Sequence, residues 1–177
     1  MQKNNHTRAV QRLAFAAMLV AVSCILSFGK FAVGPNVNVT FFFLPIAVGA
    51  MCLGPLPAAA IGGIADILGC LIMPTGPYFP GFTINAAITG LVYGAFFKGQ
   101  KPKLWKIIIA RLVLMIVVDL ILTPLWLHLL YSTPLVWAFW VQRFIKCAIV
   151  CPIEIVVIFV VNTAIFSILN KSDNTKE

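Results

Sequence analysis

Six ionisable residues, Asp66, Arg111, Asp119, Arg143, Lys146 and Glu154, stand inside long apolar stretches of the chain. An unpaired charge in hydrocarbon costs about 2.5–3.5 kcal/mol on insertion scales, so such groups face a polar cavity or one another. Counting about 1.5 Å per residue from the ends of their apolar runs, Arg143, Lys146 and Asp119 lie at a similar depth, about 10–15 Å inside, with Arg111 and Glu154 in the opposite half. At about 100° per residue, Arg143, Lys146, Val150 and Glu154 share one arc of about 80°, and Asp119 shares a stripe with Trp126. Two readings follow. Either Asp119 pairs with Arg143 or Lys146, and Arg111 with Glu154, as structural ion pairs, or an anionic solute completes the outer group. The second suits the forked guanidinium of Arg143, which matches a carboxylate.

Aromatic and amide residues gather at the same end of the chain's apolar runs: Asn36, Asn38 and Thr40 in one connection, Tyr78, Phe79 and Phe82 in another, then Tyr131 and Trp137. Rings, amides and cations together suit a flat, hydrogen-bonding anion. An interfacial aromatic belt accounts for Tyr131 and Trp137. It accounts less well for residues 78–82, where prolines and glycines stiffen a loop of three aromatics. Gly62, Gly69 and Met73 fall on the side of Asp66 and are expected to leave room beside its carboxylate. Ala17 and Ala21, four apart on the first apolar run, let another helix approach closely, and Gly90 and Gly94 repeat the pattern; internal packing and a partner contact are both open readings. The five cysteines lie in apolar segments without a CxxC pair or a histidine at ligand spacing, so they read as small hydrophobes, and neither a metal nor another cofactor is expected. HExxH, GxSxG and P-loop motifs are absent, so the chain does not read as an enzyme.

The elements that must position these groups follow from composition. Of 177 residues, 61% are apolar and 10% charged, with a mean hydropathy of +1.00; soluble domains run at about 45–50% apolar and about 25% charged. A water-soluble globule is excluded, and with it the nucleic-acid reading that a net charge of +8 would otherwise invite. The expectation is an all-α membrane protein forming a single integral domain over 1–177: a basic leader at 1–12, six spans at 13–28, 40–53, 57–73, 82–97, 105–130 and 136–169, the last kinked at Pro152, and a polar tail at 170–177. The first run reads as a retained helix rather than a cleaved signal. Residues 30–38, rich in Gly, Pro and Asn, cannot continue a helix, and Gly54-Pro55-Leu56-Pro57 ends the second span. Lys3, Arg8, Arg12, the lysines of 98–106, Lys171 and Lys176 fall on one side and Lys30 alone on the other, so both termini are expected in the cytoplasm. The loops at 30–39, 74–81 and 131–135 then face outward.

Several segments resemble the substrate-binding S components of energy-coupling factor vitamin transporters, in their folate-specific branch. They are Phe43-Leu44-Pro45, Gly54-Pro55, Asp66-Ile67-Leu68-Gly69, Gly76-Pro77-Tyr78-Phe79-Pro80-Gly81-Phe82-Thr83, Gly90-Leu91-Val92-Tyr93-Gly94, Leu125-Trp126-Leu127 and the Arg143, Lys146, Pro152, Glu154 series. The resemblance implies a multi-pass protein of the bacterial plasma membrane that captures folate with high affinity outside the cell. It also implies delivery to an energy-coupling transmembrane subunit driven by two cytoplasmic ATPase subunits, docking through Ala17 and Ala21, no ATPase activity of its own, and toppling in the membrane to release the vitamin. On that basis the ligand-binding candidates are Asn38, Thr40, Asp66, Tyr78, Phe82, Asn85, Asp119, Trp126, Arg143 and Lys146, with the pterin deepest. Asn38-Val39-Thr40-Phe41, Asp119 and Thr123 depart from the residues expected there. They leave an S component for pantothenate or a hydroxymethylpyrimidine as the nearest alternative, and a structural or assembly membrane protein as the alternative of another class.

Overall fold

The computed structural model of the chain describes the backbone of residues 2–34, 37–72, 77–98, 103–131 and 137–174, and the side chains of residues 6–29, 40–72, 77–98, 103–130, 140–141 and 144–167. The apolar runs form six helical rods. They are α1 (Gln2–Phe28), α2 (Phe43–Leu53), α3 (Pro55–Ile72), α4 (Pro80–Phe97), a continuous rod of α5 (Leu104–Leu114), a π-helical segment (Met115–Leu122) and α6 (Thr123–Tyr131), and α7 (Trp137–Asn174). Five of these rods are long and apolar enough to cross a membrane, and α2 is shorter. The expected spans at 57–73, 82–97 and 105–130 are met within two residues.

Four expectations are corrected. The connection after α1, expected as an irregular loop, is a β-hairpin, β1 (Lys30–Gly34) against β2 (Val37–Thr40), set in a fold otherwise all-helical among the described residues. Thr40 closes that hairpin opposite Lys30 instead of opening a helix. Its neighbours alternate Val37, Asn38, Val39, Thr40, a β-branched pattern that favours a strand, and α2 begins only at Phe43 after a turn in which the Leu44 amide donates to the Phe41 carbonyl. The basic leader is not a separate segment but the first turns of α1, and α7 continues to Asn174, past the boundary expected at 169. Pro152 lies in the interior of α7.

Fully buried Ile46, Ile61, Tyr93, Ile107, Leu114 and Ile158 tie all the rods except α1 into one core, which Leu19, Val20 and Cys24 of α1 join. Leu13, Leu71, Trp105, Ile121 and Val156 point outward, as apolar side chains do where the surrounding solvent is lipid. Packing in a bilayer depends on close contact rather than on expulsion of water, which favours small residues at helix seams. Gly90 and Gly94 serve that end inside the molecule: a Cβ on Gly90 would collide with the Ala58 carbonyl, and one on Gly94 with the Pro55 backbone. The glycine pair of α4 is thus an internal seam with α3. Ala17 and Ala21 are exposed. Gly54, at φ +97°, turns the chain from α2 straight into α3, a conformation a side chain would strain.

The π-helical segment has a visible local cause. Pro124 is fully buried two residues past its end. In a regular helix its ring would crowd the carbonyl four residues back and remove a backbone donor. Widening the preceding turn relieves the crowding, and the Val118 carbonyl accepts both the Thr123 backbone N–H and, at 2.7 Å, the Thr123 hydroxyl.

Candidate functional site

Two polar clusters lie at the ends of α3, α4 and α6 that carry the aromatic loop. In the first, the Trp126 indole N–H donates to Asn85 Oδ1 at 3.1 Å, and Asn85 Nδ2 donates to the Thr123 hydroxyl at 3.2 Å. Asn85 is 7% exposed. With both ends of its amide engaged, it fixes the indole plane. The Trp126 ring also meets Phe79, centroids 5.7 Å apart and tilted 52°, while Phe79 meets Phe82 edge-on at 6.2 Å. Gly81 makes this possible, since a Cβ there would stand 2.5 Å from both the Trp126 and Phe79 rings. Pro80, in the first turn of α4, pre-sets the helix start that aims these groups.

In the second cluster, the Thr83 hydroxyl donates to Asp66 Oδ2 at 2.7 Å. Its single proton is thereby committed, so Tyr78, 51% exposed, must donate to Thr83 Oγ1 across 3.1 Å. Asp66 Oδ1 has no protein donor among the described residues and stays available to a ligand's N–H groups. The room expected beside Asp66 from Gly62 and Gly69 is taken up differently: Gly62 packs on the Ala86 carbonyl of α4, and Gly69 faces Ser27 of α1.

The buried charges rearrange the expected pairing. Arg111, 12% exposed, bridges two carboxylates, Asp119 Oδ2 at 3.2 Å and Glu154 Oε2. The pair expected between Arg111 and Glu154 is present. Asp119 is held by Arg111, a partner the sequence reading did not give it, and among the described residues it forms no ion pair with Lys146. The π-helical segment is the physical reason, because its extra residue per turn winds Asp119 back toward the face of Arg111, eight residues earlier. One cation against two carboxylates leaves an excess negative charge, and half-buried Lys146 of α7 lies within electrostatic reach of Glu154 without forming an ion pair among the described residues.

Of the remaining candidates, Thr40 is half-buried at the end of β2. Asn38 pairs with Ala32 in the hairpin, but its side chain and that of Arg143 lie outside the described residues, as do Asn36 and Met73 entirely and the side chains of Tyr131 and Trp137. Phe82 is half-buried on Phe79. Thr83 escaped the sequence reading as a site residue; the only signal was its place in the Tyr78–Thr83 loop, since its partner Asp66 is set by the α3–α4 register. Among the described residues no three His, Cys, Asp or Glu stand close enough to hold a metal ion, and the five cysteines are free thiols, three buried, Cys70 half-buried and Cys52 exposed.

At least five membrane-length helices, with aromatic rings packed beside paired amide, hydroxyl and carboxylate groups, define a multi-pass membrane protein. The chain belongs to the family of ECF transporter substrate-specific components, whose profile matches residues 11–168. It is similar to the folate transporter FolT of Clostridium novyi (strain NT), 31% identical over 152 residues that cover 86% of this chain and 88% of the relative. It is also similar to the folate transporter FolT of Leuconostoc mesenteroides subsp. mesenteroides, 33% identical over 164 residues, 89% of this chain and 88% of that one. Among solved structures, a crystal structure of FolT bound with folic acid matches with a TM-score of 0.79 and 33% identity, covering 86% of this chain and 92% of the other.

Proposed function

We propose that this chain is the folate-binding S component of an energy-coupling factor transporter, capturing the vitamin outside a bacterial cell and passing it to an ATP-driven module. The single observation that carries this reading is the likeness, at 33% identity over most of both chains, to a FolT structure that holds folic acid. The local chemistry agrees with it. A pterin presents a flat face and a donor–acceptor edge; the Phe79–Trp126 wall suits the face, and the open oxygen of Asp66 with the Tyr78–Thr83 hydroxyls suits the edge. Asn85 acts as a positioning residue for Trp126, and Thr40 and Asn38 line the site from the hairpin. The glutamate tail carries two carboxylates. With Asp119 and Glu154 held by Arg111 and Lys146 offsetting their excess charge, Arg143 is the cation assigned to the tail, with Lys146 in support.

Both termini lie in the cytoplasm in this reading, since the basic residues of α1, the 98–106 connection and the end of α7 share one side. The chain has no ATPase activity of its own and relies on an energy-coupling transmembrane subunit and two ATPase subunits. Exposed Ala17 and Ala21 form the face on which that subunit docks. Titration calorimetry of the purified protein with folic acid tests the assignment. Saturable, one-to-one binding is expected; silence toward every folate with saturable binding of another vitamin moves the substrate elsewhere in the family.

A further inference from the structure

A groove of about 1020 Å³ runs along the flank of α1 against α2 and α3, its walls apolar (Ala17, Ala21, Leu53, Ile61) and its mouth marked by Arg8 and Arg12. Ligand pockets span about 300–1,000 Å³, so the groove has room for an acyl chain. Phe28 ends α1. At about 1.5 Å per residue, Arg12 and Arg8 lie about 24 and 30 Å from it, at the far edge of a hydrocarbon layer about 30 Å thick. Their guanidinium groups reach the level of lipid phosphates by extending along the helix. Four residues apart, the two arginines sit one turn above the other, and among the described residues neither forms an ion pair with a carboxylate. A forked cation pair without an anion, above an apolar trough open to lipid, matches the two ends of a phospholipid.

We infer that the α1 groove binds one anionic phospholipid, its phosphate between Arg8 and Arg12 and an acyl chain against Ala17 and Ala21. A net negative headgroup is favoured over a zwitterionic one because only the former neutralises the paired cations. The lipid fills this face while the subunit is alone, so docking of a coupling subunit on the same alanines requires its displacement. The inference rests on the membrane-protein reading and not on the identity of the vitamin.

Native mass spectrometry of the detergent-purified subunit, offered equimolar phosphatidylglycerol and phosphatidylcholine, tests it without folate or any partner present. The expected result is one phosphatidylglycerol retained with about 30-fold preference, about fivefold from each arginine. Arg8→Gln/Arg12→Gln should abolish the preference, and Ala17→Trp, which fills the trough with the arginines intact, should reduce retention of both lipids. Millimolar glycerol phosphate should not displace the lipid, since it lacks the chain. Folate calorimetry on the same variants should be unchanged, which separates a failed site from a failed fold. Equal retention of the two lipids, a preference that survives in the double variant, displacement by glycerol phosphate, or a dimer in place of a lipid adduct would each overturn the inference.

Discussion

Arg111→Met removes the only cation in contact with two buried carboxylates among the described residues. Glu154 is 10% exposed at its side chain and Asp119 28%, so the two losses differ in size. Leaving one member of a buried pair uncompensated costs about 3–5 kcal/mol, whereas a partly exposed pair is worth about 0.2–1 kcal/mol. The loss is therefore dominated by Glu154 and totals about 3–6 kcal/mol. For a chain of this size, about 2–4 °C of melting temperature per kcal/mol converts this to a fall of roughly 6–24 °C. Thermal unfolding in detergent, followed by tryptophan fluorescence, reads it. Arg111→Met/Glu154→Leu should recover at least half of the loss, because a buried pair replaced by apolar groups of similar size is close to neutral. Asp119→Asn alone should stay within about 1 kcal/mol of the parent. A melting temperature for Arg111→Met within about 4 °C of the parent would refute the claim that the bridge holds α5 to α7.

Three further outcomes are expected. Trp126→Phe keeps a ring but leaves Asn85 Oδ1 buried without its donor, so stability should fall by about 1–3 kcal/mol, and calorimetry should show weaker folate binding because the ring is no longer held in one plane; an unchanged Kd would remove Asn85 from its positioning role. Arg143→Gln should weaken intact folate by about 10–100-fold and a tail-less pterin much less; equal losses would assign Arg143 to the pterin or to the fold. Ala17→Trp should leave folate binding intact while abolishing co-purification with the coupling subunit, and continued assembly would place the dock elsewhere.

Most helix positions were legible because Gly and Pro punctuate the apolar runs: Gly54-Pro55 and Pro80-Gly81 stand where helices end or begin. Hydropathy does not separate Thr40-Phe41-Phe42 from the helix that follows, since apolar and β-branched residues satisfy a strand and a membrane helix alike, and so the last residue of β2 falls into the expected second span while the rest of the hairpin reads as a loop. The pairing of Asp119 was hidden for a geometric reason. At a uniform 100° per residue it stands off the face of Arg111, and only the widened turn before Pro124 brings the two together. Asn85 and Trp126 were readable as site residues by type, but their mutual bond joins residues 41 apart and depends on how α4 meets α6. Thr83 needed the α3–α4 register that Gly90 and Gly94 set.

The brevity of α2 bears on how far the solute has to travel. Its 11 residues extend at most about 16 Å from the corner at Gly54, roughly half the thickness of a hydrocarbon layer. With the Gly54 corner at one face of the bilayer, the peptide groups of Phe41 and Phe42 and the end of β2 would lie near mid-membrane. Irregular backbone is tolerated at that depth only when covered by protein or wetted from one side. The β1–β2 ladder covers one edge of β2. In the proposed function, a vitamin resting against Thr40 would stand about half a hydrocarbon thickness in from its entry face. The step driven by the proposed ATP-dependent module would then cover the remaining half, a layer about as thick as α2 is long.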